Sequence, residues 1–421
     1  MLACGLSMES SNPMVAVKRQ GPLVGMRVLD LAHVMAGPTA ARMLADMGAD
    51  VIKVEKADGG DDTRRMLPPD IKGESAAYMM MNRNKRGIVL DLKQPAAREV
   101  LKRLVGKADV LIENYRHDTL VKLGVGYEAL RKVNPGLIYC AISGFGRSGP
   151  LATQGGFDLI AQGLSGLMAI TGEGPGRPPV KVGAPACDIV AGILGAMAIA
   201  AAYAHKLKTG EGQAIDTSLF EAGITLTYWQ SAIALATGVS PGPMGSAHPL
   251  NAPYQAFETR DGWMNVGAGS DKFFGQLCEI LGVPALARDA RFKSGRDRMT
   301  NLDQLIETIS PHFKTRTTAD WLALLEQAGI PAGPVLSIGD MLEHPQTAAR
   351  EMAPTVAHPV AGVVRTVGLP VKFSGTPGRV LHAAPLFGEH TREVLVEAGY
   401  GATEIDALIA SGAAVEHRAR D

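Results

Sequence analysis

The sequence predicts an α/β fold on a parallel, doubly wound sheet, and three observations carry that expectation. Met26 to Leu31 is a short apolar strand, Thr39 to Met47 continues as a helix until Gly48 stops it, and Val51 to Val54 is a second strand. The same alternation recurs: a helix near Ala96 to Val105, a strand Val110 to Glu113, a helix near Tyr127 to Lys132 and a strand Leu137 to Ile142. Strands joined through a helix run parallel in one sheet, because the crossover returns the chain to its starting edge. Finally, 421 residues with 46% hydrophobic content allow a large core and two to three domains.

The loop after the first strand reads His33-Val34-Met35-Ala36-Gly37-Pro38, and Pro38 suits the first turn of the helix that follows. The second strand closes on Glu55-Lys56. Nucleotides bind at the carboxyl ends of such strands, where loops and helix N-termini gather. The three-glycine phosphate fingerprint is missing from the first loop. It recurs as Gly144-Phe145-Gly146-Arg147-Ser148-Gly149, but Pro150 and Gly155-Gly156 prevent an immediate long helix, which argues against a nicotinamide dinucleotide. Asn82 to Gly87 leads into a strand Ile88 to Leu92; its cations read either as a solvated basic turn or as a phosphate clamp.

Forty-two basic residues balance forty-two acidic ones, which argues against nucleic acid or an anionic membrane as the main partner. Cys4, Cys140, Cys187 and Cys278 form no C-x-x-C pair and have no zinc-type histidine spacing, so no metal and a reduced, cytoplasmic chain are expected. The first twenty residues lack the apolar core of a signal peptide and read as a disordered lead-in. The longest apolar run, Ile189 to Ala204, is shorter than the roughly 20 residues that span a bilayer and reads as a core helix.

A Gly/Pro-rich loop, Arg177 to Gly192, delivers one carboxylate, Asp188, to the start of that helix. An aspartate there is an N-cap at the least, ionised by the helix dipole, and at the base of a glycine-lined loop it can also be a nucleophile. The residues alone leave both open. Cys187 reads as a small side chain packed beneath the helix start.

Several long motifs in one order carry a resemblance: MRVLDLAHVMAGPTAARMLADMGADVIKVE, NRNKRGIVLDLK, ADVLIENYR, LGVGYEALRKVNPGLIYCAISGFGRSGP, GGFDLIAQGLSGLM, the Asp188 segment with HKLKTGEGQAIDTSLFEA, GIPAGPV and APLFGEHT. From about Gly21 to about Tyr400 the chain resembles the class III coenzyme A transferases. That family includes formyl-CoA, carnitine-CoA and succinyl-CoA-dependent transferases and a branch of α-methylacyl-CoA racemases. The resemblance implies a large Rossmann-like domain made from both chain ends, a smaller inserted α+β domain, and two chains interlocked as a homodimer. The corresponding ranges are 21–221, 222–340 and 341–421. A hairpin (Tyr254 to Thr259, Trp263 to Val266) and helices Asp271 to Leu281 and Asp320 to Gly329 fit the inserted part.

The resemblance makes Asp188 the covalent nucleophile and acyl-CoA and a carboxylic acid the substrates, with no permanently bound cofactor. For CoA it points to Val34, Met35, Lys56, Leu90, Lys93, Asn114, Tyr115 and Lys122; charge alone adds Lys85 and Arg86. Oxyanion donors are expected at Ala36-Gly37 and at Gly245-Ser246-Ala247-His248. Arg177, Lys181 and His248 are candidate partners for the far carboxylate of a dicarboxylate. Phe157 stands where the racemase branch has a histidine, and a phenyl ring cannot move a proton. Met35 replaces the glutamine of the formyl-CoA branch. The Ser246 to Phe257 stretch resembles succinyl-CoA-dependent dicarboxylate transferases, glutarate being one acceptor. The alternatives are a non-catalytic acyl-CoA-binding module and an α-methylacyl-CoA racemase.

Overall fold

The computed structural model describes residues 19–418. The expected lead-in lies outside the described residues apart from Arg19 and Gln20, and Arg19 already forms an ion pair with Asp50 at 2.9 Å. Strands β1 (Arg27–Asp30), β2 (Asp50–Glu55), β3 (Lys85–Leu90), β4 (Val110–Glu113), β5 (Ile138–Ser143) and β6 (Ala214–Ser218) lie in the spatial order 3-2-1-4-5-6. That order is the one in which doubly wound nucleotide-binding sheets reverse direction between β1 and β4. β3, β2, β1, β4 and β5 pair in parallel, whereas the short strand Ala414–Val415 pairs antiparallel with the outer edge of β3. The mixed α/β fold with a largely parallel sheet is therefore as expected.

Helix α1 (Ala36–Asp46) follows β1 and buries Ala40, Ala41 and Leu44 against the sheet. Its tight entry requires Gly37, since a Cβ there would stand 2.1 Å from the Ala32 Cβ. Leu29, Ile52, Ile88 and Leu111 make a continuous apolar core with Val100, Leu101 and Leu104 of helix Pro95–Val105. β3 begins three residues earlier than the sequence suggests, at Lys85, because Lys85 and Arg86 take ladder positions opposite Val51 and Ile52.

By compactness the described residues fall into two units, one of 19–141, 195–215 and 351–418 and one of 142–194 and 216–350. Residues 142–194 thus group with the second unit rather than with the large domain expected from the sequence. The physical reason is that three elements run from one unit into the other, the third being β6, which crosses between Ile215 and Asp216. β5 enters the second unit at Ile142. Helix α3 (Ala186–Thr209), 24 residues long, passes back at Gly195. The helix is also longer than the run read from the sequence, and among the described residues it is long and apolar enough to cross a membrane.

In the second unit, Tyr254–Glu258 and Trp263–Gly267 form the expected hairpin, extended by Ala332–Pro334. Helices Asp271–Ile280, Leu302–Phe313 and Thr318–Gln327 accompany it. Phe257 stacks on Phe313 at 4.3 Å, and Trp321 packs on Phe313 while its Nε1–H donates to the Phe313 carbonyl at 2.6 Å. All three tryptophans, Trp229, Trp263 and Trp321, belong to this unit. Phe313→Ala removes the ring at the centre of the cluster and is expected to cost about 3–5 kcal/mol. The check is urea unfolding followed by tryptophan fluorescence, where the midpoint should fall with little change in slope.

Candidate active site

The parallel strands end at Asp30, Glu55, Leu90 and Glu113, so the residues that follow them gather at one edge of the sheet. Val34, Met35, Lys56, Leu90, Lys93, Asn114 and Tyr115 all stand at or just beyond those ends. Val34 takes a left-handed conformation (φ 65), uncommon for a β-branched residue. Its N–H donates to Asp61 Oδ1 at 3.2 Å, which holds it there. Asn114 clamps the same loop from the other side: His33 N–H donates to its Oδ1 and its Nδ2 donates to the His33 carbonyl, both at 2.8 Å. The Tyr115 hydroxyl lies 3.2 Å from His33 Nε2, and burial pushes its pKa up to about 12. Met35 makes no side-chain cap, so the first N–H groups of α1, at Ala36 and Gly37, meet no side-chain acceptor from their N-cap residue.

Beneath this edge lies a buried ionic lattice. Lys53 is 2.8 Å from Asp61 and 3.8 Å from Asp30, its ammonium also donates to the Ala32 carbonyl, and Lys85 is 2.8 Å from Asp30, all four side chains wholly buried. Burial disfavours the Lys53 charge, but Asp30 and Asp61 outweigh it and hold the pKa above the usual lysine range. Asp61 is held well below the usual carboxylate range, because Lys53 outweighs its burial. Burial lowers Lys85 to about 8.

Lys85 and Arg86 are therefore not free for CoA phosphates, correcting that expectation. They open β3, at the end away from Leu90. Lys85 donates to Asp30, Asn82 and the Pro38 carbonyl, while Arg86 is tied to Asp50, Glu393 and Glu397. Lys56 is half-exposed and pairs with Asp62 at 2.6 Å, and Lys93 and Lys122 are exposed.

Asp188 occupies the third position of α3, not its cap. The Pro185 carbonyl accepts from Ile189 N–H at 3.1 Å, which makes Pro185 the N-cap residue, and proline has no side chain to cap with. The cap comes instead from Asp158, first residue of helix α2 (Asp158–Leu164): its Oδ1 accepts from Cys187 N–H at 2.8 Å and Asp188 N–H at 3.3 Å. Among the described residues no hydrogen bond reaches the Asp188 carboxylate. Burial and the nearby Asp158 raise its pKa to about 7. Cys187 is packed and buried, its thiol pushed up to about 12 by burial, as a structural cysteine should be.

Wholly buried Gln162 holds the approach to Asp188. Its Nε2 donates to Asp158 Oδ2 at 2.6 Å and to the Ala184 carbonyl at 3.4 Å, and its Oε1 accepts from Val182 N–H at 2.9 Å. Sequence reasoning missed both Asp158 and Gln162, although an Asp-x-x-x-Gln spacing puts the two on one helix face.

In the loop 245–248, Gly245 N–H donates to the Gly172 carbonyl at 2.8 Å and His248 N–H to the Tyr254 carbonyl at 3.0 Å. Those two amides are engaged, which removes them as oxyanion donors. Ser246 Oγ accepts from Ala256 N–H, pinning the loop to the hairpin. His248 Nδ1 accepts from Leu250 N–H at 3.1 Å, so a neutral ring carries its proton on Nε2; the ring stands edge-on to Trp229 and Tyr254. Arg177 pairs with Glu173 at 3.6 Å, and Lys181 donates to the Val182 and Gly183 carbonyls.

A sheet in doubly wound order and, among the described residues, a half-buried aspartate carboxylate that no hydrogen bond reaches are features of an α/β group-transfer enzyme. The chain belongs to CoA-transferase family III, whose model matches residues 23–391. It is 43% identical to a succinate–glutarate CoA-transferase of Agrobacterium fabrum over 90% of this chain and 96% of that one. It is 36% identical to the mouse succinyl-CoA:glutarate CoA-transferase over 100% of this chain and 96% of that one. The crystal structure of a CaiB/BaiF family protein from Brucella suis superposes with a TM-score of 0.81 at 39% identity, covering 90% of this chain and 100% of that one.

The raised pKa of Asp188 has a stability consequence. The native state holds a proton there that the unfolded chain releases near pH 4, so this contribution favours the native state below about pH 4. It is lost as pH rises through about 7. Asp188→Asn, which keeps the shape and removes the charge, should leave the thermal midpoint unchanged near pH 4 and raise it by several degrees at pH 8. Calorimetry at both pH values checks the sign.

Proposed function

We propose that this chain moves coenzyme A from succinyl-CoA to a dicarboxylic acid of the glutarate kind, with Asp188 as the covalent nucleophile. The observation that carries this reading is the Asp188 carboxylate, half-buried at a helix start and without a hydrogen-bond partner among the described residues. A structural cap would be bonded to backbone N–H groups; here Asp158 has that task and Asp188 is left able to react. The names of the relatives, both acting between succinyl-CoA or succinate and glutarate, support the substrate pair.

Exchange of CoA between two carboxylic acids needs no energy source, but a free carboxylate attacks a thioester poorly. Covalent catalysis divides the exchange into easier steps. An Asp188 oxygen attacks the succinyl carbonyl and the C–S bond breaks, giving a mixed anhydride and CoA thiolate. The thiolate attacks the Asp188 carbonyl carbon and succinate leaves, so an aspartyl-CoA thioester remains. The acceptor carboxylate then reverses the sequence. Each tetrahedral intermediate carries an oxyanion, and the Ala36 and Gly37 N–H groups are the donors this reading assigns to it.

For CoA we assign Val34, Met35, Lys56, Leu90, Lys93, Asn114, Tyr115 and Lys122, the first seven supported by their common position at the carboxyl ends of the parallel strands. His248, with its Nε2 proton, and the cations of Arg177 and Lys181 are assigned to the far carboxylate of the acceptor. A reducing, cytoplasmic setting belongs to the same proposal, supported by the buried thiols of Cys187 and Cys278.

Intact-protein mass spectrometry after mixing with succinyl-CoA tests the nucleophile. The native chain should gain a CoA-sized adduct that hydroxylamine removes and that glutarate discharges, and Asp188→Ala should gain none. Measurable CoA binding with no adduct would instead make the chain a binding module.

The homodimer belongs to the same proposal. Helix Tyr228–Thr237 leaves Tyr228 69%, Trp229 60% and Leu235 88% exposed, an apolar face suited to a second copy of the chain. Sedimentation should give twice the 44.3 kDa chain mass. Leu235→Glu should weaken that association at least tenfold.

A further inference from the structure

We propose that Asp158 is a positioning residue that keeps Asp188 both free and reactive, taking over the cap of α3 and placing a second negative charge beside the nucleophile. The inference rests on the reading of Asp188 as nucleophile and adds a residue that reading does not contain. Three geometric facts support it. Asp158 Oδ1 accepts the two N–H groups, of Cys187 and Asp188, that a cap side chain would bind. Its Oδ2 is held by Gln162 Nε2 at 2.6 Å, and Gln162 also holds Val182 N–H and the Ala184 carbonyl, so one side chain fixes both the cap and the loop leading to the nucleophile. Gly223 closes the base of this arrangement: a Cβ there would stand 2.4 Å from Ser165 Oγ and 3.1 Å from Cys187 Sγ.

The chemical consequence follows from charge balance. When Asp188 displaces CoA from succinyl-CoA and the thiolate then displaces succinate, one carboxylate is consumed on the enzyme and one is released as succinate. The negative charge leaves the site with the product acid. Two facing carboxylates repel, and conversion of one into a neutral thioester removes that repulsion. Asp158 therefore favours the loaded enzyme over the free one. Burial, and this repulsion in addition, raise the basicity of Asp188, which makes it a better attacking group once ionised. The other titratable groups close by are Cys187, neutral and buried, and Lys181, whose ammonium is bound to the Val182 and Gly183 carbonyls.

Asp158→Asn retains an oxygen for the two backbone N–H groups and removes the charge. Because its Nδ2 cannot accept from Gln162 Nε2, Gln162→Ala, which loses that bond and keeps the charge, is the control in which the half-rise of adduct formation with pH stays in place. At a fixed ratio of succinyl-CoA to succinate, intact mass measures the ratio of CoA-loaded to free enzyme at equilibrium. We expect the variant to lower that ratio about tenfold, the effect of one pKa unit. The half-rise of adduct formation with pH should also move down by about a unit from its native position near 7. A folded variant with unchanged loading and an unchanged pH profile would overturn the proposal. If circular dichroism shows that the variant does not fold, Asp158→Ser, which keeps an acceptor oxygen for the cap and carries no charge, is measured in its place: unchanged loading and an unchanged half-rise overturn the proposal, and lowered loading with a half-rise moved down supports it. A native chain that forms no adduct, or an Asp188→Ala chain that forms one, overturns the nucleophile reading and this inference with it. Loss of the Asp158 effect alone leaves the nucleophile reading intact.

Discussion

The ion pair between Lys53 and Asp61 is the interaction on which the carboxyl edge of the sheet depends. Lys53 belongs to the centre of β2 and Asp61 to the loop beyond it, and the pair is wholly buried at 2.8 Å. A buried pair with one partner removed leaves an uncompensated charge, a loss of about 3–5 kcal/mol, so the loop is bound to the strand. The other oxygen of Asp61 accepts the N–H of Val34 and so holds a β-branched residue in a left-handed conformation. A conformation that costs on the order of 1–3 kcal/mol persists only where the surroundings over-determine it. Here they do so twice, through Asp61 and through Asn114.

The two units treat buried carboxylates in opposite ways. Asp30 and Asp61 sit against lysines, and Glu55 receives two bonds from Arg64, at 2.7 and 2.8 Å. Among the described residues no cation pairs with Asp188, and the charged group that acts on it is the Asp158 carboxylate. The first arrangement makes a rigid scaffold; the second leaves a group less stable as an anion than it would be in water. Covalent capture relieves that instability, which is the environment a nucleophilic aspartate needs and a structural one avoids.

Much of the fold was legible because β1, α1, β2 and their successors announce themselves by local periodicity. Asp188 was legible as the lone acid at the start of an apolar run. What could not be read was set by distant partners. Lys85 and Arg86 form a basic doublet that a local reading assigns to phosphate, and only the register opposite Val51 and Ile52 puts them in the sheet. Asp158 lies thirty residues before Asp188, and nothing local says that its carboxylate caps another helix. The loop amides of Gly245 and His248 looked available for the same reason: their acceptors, at Gly172 and Tyr254, come from elsewhere in the chain.

The strand Ala414–Val415 covers the outer edge of β3 from more than three hundred residues further along the chain. During synthesis, Lys85 to Leu90 emerges more than three hundred residues earlier, and at roughly 5–20 residues per second the edge stays unpaired for tens of seconds. An unpaired apolar strand edge is a template for pairing with another chain. A nascent copy is thus exposed to its neighbours on the same message until its own Ala414–Val415 strand arrives. Any truncation before Ala414 makes that transient exposure permanent.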